Sequence, residues 1–263
     1  MKAEIIVLGS GTSMGVPTLG CECAVCTSTD PRNRRTRPSI AVVWTSGGAR
    51  HTVVIDTGPD FREQALREGI RHVDAVLYTH AHADHILGLD DLRPLSFQHK
   101  PGFLPLYADE PTATILRRVF EYTFSADATY PMRARVELHG LEGTDAVEID
   151  GARFQRIPLR HGNQEVAGFR FGSAAYLTDM SRIPETSLPL LEGLDVVILD
   201  ALRPQPHPSH ATIAESLQWV ERMAARRAWF THMSHEVDHE ATEKEFPAGV
   251  RLSYDGLRIP FEL

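Results

Sequence analysis

The chain has 263 residues, 42% of them hydrophobic and 24% charged. That balance allows a sizeable buried core and excludes the disordered, collagen-like and coiled-coil classes. Lys+Arg 27 against Asp+Glu 35 gives a net charge of -8, so attraction of the whole molecule to nucleic acid or an anionic membrane is not expected. The nearest thing to a targeting segment, Ile5-Ile6-Val7-Leu8, is too short for a signal-peptide core or a bilayer span, which points to a cytoplasmic protein.

In chain order, short apolar runs rich in β-branched residues predict strands over 4–8, 40–44 and 52–55, followed by a helical pattern over 59–68. A strand over 75–78 leads into a histidine-rich turn. Another over 104–107 precedes a helix over 111–122 that opens on proline. Strands over 154–157 and 174–177, a helix over 184–191, a strand over 196–199, a helix over 212–226 and a strand over 228–230 follow. Tyr254-Asp255-Gly256-Leu257 reads as a tight hairpin turn between two last strands. No repeat, linker or shift in composition divides the chain. One domain spanning 1–263 is expected, of the α/β (α+β) class, with central sheets and helices outside.

Two features concentrate chemistry. Thirteen histidines are many for this composition, and three of them fall in Thr79-His80-Ala81-His82-Ala83-Asp84-His85. In an extended segment residues two apart point the same way, so His80 and His82 can grip one ion. Asp84 and His85, where the chain turns into a helix, can face a second. Three imidazoles and a carboxylate this crowded would repel on protonation unless a cation organised them. The three cysteines all lie within Cys21-Glu22-Cys23-Ala24-Val25-Cys26, too close together for a disulfide framework. A metal is the better reading.

The H-x-H-x-D-H pattern resembles that of the metallo-β-lactamase fold superfamily, and the resemblance continues downstream. It implies an αββα sandwich of two mostly antiparallel or mixed sheets, with His80, His82 and His161 at one metal, Asp84, His85 and His232 at the other, and Asp179 bridging. Asp56 resembles the family's carboxylate that orients a ligand histidine, although on its own it reads equally well as a turn cap. Within the superfamily the chain most resembles the phosphoribosyl 1,2-cyclic phosphate phosphodiesterases of the carbon-phosphorus lyase pathway. The residues that carry this likeness are Gly9 to Pro17, the segment from Gly20 to Cys26, Arg37-Pro38-Ser39 and Thr231-His232-Met233-Ser234-His235. It implies a structural zinc on Cys21, Cys23 and Cys26 completed by His235, for which His239 is the competing ligand. Three thiolates and an imidazole make a closed tetrahedral site with no position left for substrate.

Five imidazoles and two carboxylates suit manganese or zinc better than magnesium or calcium. A cation pair can lower the pKa of a shared water and clamp a phosphoryl oxygen during in-line attack. His210, just before the helix over 212–226, matches the catalytic histidine of the phosphodiesterase branch that does not bind metal, and is expected to protonate the leaving oxygen. His207 is second choice, and His51, His72, His99 and His139 match no motif. The arginines at 32, 34, 35 and 37 form either a solvated face or an anion clamp, and the Gly9–Ser13 turn offers backbone N–H groups to an anion. The expected enzyme hydrolyses a small cyclic or diester phosphate, without membrane or nucleic acid as partner and with a homodimer allowed. Nuclease action on RNA or DNA ends, ester, thioester or lactam hydrolysis, and a non-catalytic zinc module are the competing readings.

Overall fold

A computed structural model describes residues 1–99, 102–125 and 131–263. Its strands are β1 (Lys2–Gly9), β2 (Ser39–Ser46), β3 (Ala49–Ile55), β4 (Ala75–Leu77), β5 (Leu104–Ala108), β6 (Val136–Gly140), β7 (Ala146–Ile149), β8 (Ala152–His161), β9 (Gln164–Phe171), β10 (Ala174–Leu177), β11 (Val196–Asp200), β12 (Arg227–Thr231), β13 (Val250–Leu252) and β14 (Arg258–Glu262). Its α-helices are α1 (Phe61–Glu68), α2 (Ala83–Ile86), α3 (Arg93–Ser96), α4 (Glu110–Val119), α5 (Glu121–Phe124), α6 (Ile213–Met223) and α7 (His239–Glu243). Among the described residues the strands form two seven-stranded sheets, in the orders β14-β1-β2-β3-β4-β5-β6 and β13-β12-β11-β10-β9-β8-β7. Each sheet is antiparallel in one half and parallel in the other: β3 to β6 run parallel in the first, β10 to β13 in the second.

Alternation along the strands builds three layers of core. Ile40, Val42 and Trp44 of β2 pack between the sheets against Phe154, Phe169 and Ile198. Their neighbours Ala41 and Val43 face outward, into the cluster beneath α1 and α4. In β11, Val197 and Leu199 face the opposite outer layer, which Leu217 and Val220 of α6 cover. Strands buried on both faces read as unbroken apolar runs, which is why these runs were legible. The arrangement is the expected αββα sandwich.

Three expectations need correction. The last two strands form no hairpin: β13 pairs with β12 and β14 with β1, so the chain crosses from one sheet to the other. The turn itself forms, with Leu257 N–H donating to the Tyr254 carbonyl at 3.1 Å. The buried Asp255 carboxylate holds the crossing by accepting from the backbone N–H and hydroxyl of Ser10 (3.0 and 2.8 Å) and of Thr36 (2.9 and 2.6 Å). The segment read as a helix over 184–191 is a 3-10 helix, Glu185–Leu191, with Pro189 inside it; proline has no N–H for the α-helical ladder. The helix read over 111–122 is broken at Phe120 into α4 and α5.

Candidate active site

The parallel halves of both sheets end at one place, where chemistry-bearing residues sit on successive strand ends, the usual position for sites in open α/β sheets. Asp56 follows β3, His80 follows β4, His161 and Asp200 close β8 and β11, and Asp179 and His232 lie just beyond β10 and β12. The ligand atoms of His80, His82, His161 and Asp179 all lie within 4.8 Å of one another, as do those of Asp84, His85, Asp179 and His232. Asp179 belongs to both groups.

Local backbone geometry is spent on this convergence. Asp56, Asp179 and His232 have φ of 66°, 52° and 60°, left-handed conformations that cost a non-glycine residue roughly 1–2 kcal/mol each. A Cβ on Gly58 would stand 2.0 Å from the Asp84 carbonyl oxygen, so only glycine lets this loop touch α2. Thr57 N–H donates to the His85 carbonyl and Gly88 N–H to the Thr57 carbonyl, each at 2.8 Å. The Asp56 loop thereby fixes the helix that carries Asp84 and His85.

Hydrogen bonds set which imidazole nitrogen faces inward. Asp56, fully buried, accepts from Thr79 N–H and hydroxyl at 2.8 Å each and from His85 Nδ1 at 2.7 Å. His85 is left with Nε2 3.2 Å from both Asp84 Oδ2 and Asp179 Oδ1. His161 Nδ1 donates to the Ser209 carbonyl at 2.8 Å. His232 Nε2 lies 3.3 Å from Asp179 Oδ1 and 3.6 Å from Asp84 Oδ2, and His80 Nε2 lies 3.6 Å from Asp179 Oδ2.

The donor set fits divalent cations. His80 Nε2, Asp84 Oδ2, His85 Nε2 and His232 Nε2 are buried without a hydrogen-bond partner, an expensive state for polar atoms unless something else satisfies them. Burial pushes His161 down to about 4 and His80 well below the usual imidazole range, so both present neutral lone pairs. Burial also opposes charge on His232, but Asp179, Asp84 and Asp200 outweigh it and carry the imidazole up to about 9. The carboxylates thus attract positive charge to this spot, and a cation would replace the proton.

A third group joins Asp200, His210 and His232. His210 Nδ1 donates to Asp200 Oδ2 at 2.6 Å, and its ring centroid is 4.6 Å from those of His161 and His232. It does not cap α6, a task performed by Thr212 in a capping box with Glu215. His207 stands one ring further out, 5.0 Å from His210, and its Nδ1 accepts from Ser209 N–H at 3.3 Å. Asp200 was missed in the sequence. Its place at the end of an apolar strand, as Asp56 follows one, was the only signal and has no motif spacing to single it out.

Residues 51–233 match the family described as the beta-lactamase superfamily domain. The crystal structure of a new diphosphatase from the PhnP family superposes with a TM-score of 0.92 at 52% identity, covering 100% of this chain and 98% of that one. The chain belongs to the beta-lactamase superfamily. It is a metal-dependent hydrolase of the metallo-β-lactamase fold. Zinc-bound PqqB from Methylobacterium extorquens shares the fold, with a TM-score of 0.75 at 21% identity over 97% of this chain and 99% of that one. Among curated relatives, an octanoyltransferase from Porphyromonas gingivalis is 34% identical over 96% of this chain, which spans only 50% of that protein's length. Coenzyme PQQ synthesis protein B from Methylorubrum populi is 28% identical over 75% of this chain and 72% of its own. No helix among the described residues is long and apolar enough to cross a membrane.

This superfamily member carries a second donor cluster close by in the chain. Cys21, Cys23 and Cys26 Sγ lie 3.1, 3.5 and 3.6 Å from His235 Nδ1, near the sulfur–nitrogen edge of about 3.5 Å that tetrahedral zinc bond lengths imply. The Cys26 N–H, donating at 3.4 Å, brings Cys23 down to about 6, while burial lifts Cys26 to about 11. His239 lies elsewhere: its N–H donates to Asn33 Oδ1 at 2.9 Å and its Nε2 is 3.6 Å from Glu243.

The arginine run is split: Arg34 is exposed and Arg32, part-exposed, pairs with Asp30 at 2.7 Å, while Arg35 and Arg37 are tied to the protein. Arg35 is buried and donates to the Ser234 and Val237 carbonyls at 3.1 and 2.8 Å and to Asn33 Oδ1 at 3.0 Å. Arg37 Nη1 pairs with Asp60 at 3.0 Å. Three amides of the glycine-rich turn are also committed: Ser10 to Asp255, Gly11 to the Thr36 carbonyl and Thr12 to the Met233 carbonyl. Away from the site, His51 lies 3.5 Å from Asp74 and 3.3 Å from Asp150, and His72 lies 3.0 Å from Asp74. His99 Nε2 lies 2.6 Å from the Val73 carbonyl, and His139 Nε2 is 3.6 Å from Glu137.

Proposed function

We propose that the protein is a dinuclear phosphodiesterase that hydrolyses a small cyclic or diester phosphate. The observation that carries this reading is the His210–Asp200 pair set against the shared-carboxylate cluster. His80, His82, His161 and Asp179 would hold one cation, Asp84, His85, His232 and Asp179 the other. When bound, these ions, manganese or zinc, supply Lewis-acid charge stabilisation and water at a lowered pKa. Asp179 fixes the spacing of the two positions, and Asp56 keeps His85 Nε2 turned toward them. Asp200, bonded to His210 Nδ1, would stabilise the imidazolium form, whose Nε2 proton goes to the leaving oxygen. Cys21, Cys23, Cys26 and His235 would hold a structural zinc that pins the loop following His232.

The name diphosphatase, given to a relative at 52% identity, supports phosphoryl rather than acyl chemistry. The net charge of -8 weighs against a polynucleotide substrate, although human tRNase Z shares the fold. The test is a panel of bis(p-nitrophenyl) phosphate, 2′,3′-cyclic nucleotides, ribosyl cyclic phosphate, short RNA and nitrocefin, assayed with manganese and with zinc after chelation. Turnover of the small diesters and cyclic phosphates is expected. Turnover confined to nitrocefin, or a clear preference for RNA, would replace the reading.

A further inference from the structure

The end of the sandwich opposite the candidate active site holds a further cluster of donors that the proposed reaction does not use. His51 lies near the start of β3 and Asp74 just before β4, both in the first sheet, while Asp150 sits in the turn between β7 and β8 of the second. Asp56, His80 and His161 stand at the far ends of β3, β4 and β8, so the two places are a strand length apart. One ligand atom from each of His51, Asp74 and Asp150 lies within 4.8 Å of the others.

His51 is paired across the strands with Trp44, and their rings stack with centroids 5.4 Å apart. Its Nε2 lies 3.4 Å from the Ser46 carbonyl, to which it donates. The Nδ1 lone pair is thereby left 3.5 Å from Asp74 Oδ1 and 3.3 Å from Asp150 Oδ2. Nδ1 is buried and has no hydrogen-bond partner among the described residues. A lone pair facing two carboxylates is repelled unless positive charge lies between them. A proton fits poorly, because charge-assisted N–H···O bonds are about 2.7–2.9 Å long. A tetrahedral cation with bonds of about 2.0–2.2 Å holds its donors about 3.3–3.5 Å apart, the spacing found from Nδ1 to each carboxylate.

The carboxylates are held in position. Asp74 Oδ2 accepts from Thr52 N–H at 2.6 Å, and its Oδ1 lies 3.0 Å from His72 Nε2, the kind of outer contact that orients a metal ligand. Asp150 has φ of 46° and precedes Gly151 at 83°, as a two-residue hairpin turn requires. Its carbonyl accepts from Trp44 Nε1 at 3.3 Å, which ties the turn to the first sheet beside His51. The side chains of His51 and Asp74 are each 13% exposed and that of Asp150 49%, so two donors are sunk and the third stands at the mouth.

We propose that His51, Asp74 and Asp150 form a binding site for a zinc ion that staples the two sheets at the end away from the catalytic cluster. Imidazole and carboxylate are ordinary zinc ligands, and water completes the tetrahedron. The site does not depend on the phosphodiesterase reading.

The test dialyses the full-length protein to equilibrium against buffered free zinc, wild type beside Asp150→Asn, and counts bound zinc by elemental mass spectrometry. Asparagine tolerates the left-handed turn conformation and the Trp44 bond uses the backbone, so the variant keeps its fold. Every other zinc-binding residue is common to both proteins. At saturation the wild type should hold one zinc per chain more than the variant, and zinc should raise its Tm by about 3 °C more. Asp74→Asn, from the other sheet, should lose the same equivalent. Phosphodiester kcat/KM should agree within about twofold between wild type and Asp150→Asn. Equal zinc content in the wild type and both variants would overturn the site and leave a proton as the charge beside His51. A missing zinc accompanied by loss of turnover would also overturn it, since the ion lost would then belong to the catalytic cluster.

Discussion

Two clusters of metal-binding residue types stand at the same end of the fold and are built on opposite plans. The cysteine cluster gathers four donors from one short loop and one later histidine, all soft enough for zinc and close enough to enclose it. The Asp179 cluster draws on both sheets, gathers nitrogen and carboxylate oxygen, and opens on a cavity through His80 and His82. Strained backbone marks only the second, at Asp56, Asp179 and His232. A site that only has to hold together can take three of its four donors from one short loop, whereas a site with room for a substrate needs distant strand ends held in place by buried carboxylates. The two are nonetheless joined. Arg35 binds the Ser234 and Val237 carbonyls, and Thr12 N–H donates to the Met233 carbonyl at 3.1 Å, so one loop carries both His232 and His235.

The comparison breaks first at Asp179, the residue shared by both halves of the open site. Asp179→Ala should lower phosphodiester turnover by on the order of 10⁴, corresponding to several kcal/mol of charge stabilisation lost, and leave unchanged the zinc proposed for the cysteine cluster. Steady-state kinetics with metal analysis checks both parts. A variant near the wild-type rate after full stripping of metal would mean that the open cluster is not the catalytic one.

His210 sharpens the chemistry of that open site. Removing a proton donor costs roughly 10² to 10⁴ when the leaving group is a poor alkoxide, and much less when it is p-nitrophenolate, which departs without a proton. His210→Ala should show that split at unchanged metal content, since its Nδ1 is engaged by Asp200 and it sits outside the two groups that share Asp179. Equal losses on the two leaving groups would assign His210 to binding, and loss of metal would make it a ligand.

Much of this was legible before the fold was seen, for a physical reason. Strands buried on both faces, such as β2 and β11, are largely continuous apolar runs, so the family resemblance could set Asp179 and His232 at the ends of expected strands, beside the His80 motif. The less apolar strands escaped. β6 (Val136–Gly140) and β7 (Ala146–Ile149) are half-exposed and carry charge, and β9 contains Gly168, which approaches the side chains of Leu159 and Leu177 and weakens a strand signal. The crossing at Asp255 looked like a hairpin because turn chemistry is local, whereas the choice of sheet is made by distant partners, Ser10 and Thr36. Asp200 went unnoticed because a lone aspartate ending a strand carries no spacing. Its role needs the histidine ten residues later to be seen beside it.

The closed cluster should show the smallest effect on turnover and the clearest effect on stability. Cys23→Ser replaces one of three sulfurs around His235 with a harder, poorer zinc ligand. Zinc retained through mild chelation in the wild type should be absent from the variant, because a closed thiolate site contributes folding free energy while the open site exchanges. Tm should fall by roughly 5 to 10 °C, which a few kcal/mol amounts to in a chain of this size. Turnover, measured below the new Tm with metal restored, should drop by no more than about 100-fold: Arg35 and Thr12 still hold the loop, and a support at one remove from the metal typically costs 10–100-fold. Unchanged stability together with no retained zinc in the wild type would show the three thiols to be merely buried side chains. A loss of turnover as large as that of Asp179→Ala would instead make the cysteine loop part of the catalytic centre and erase the division between the two clusters.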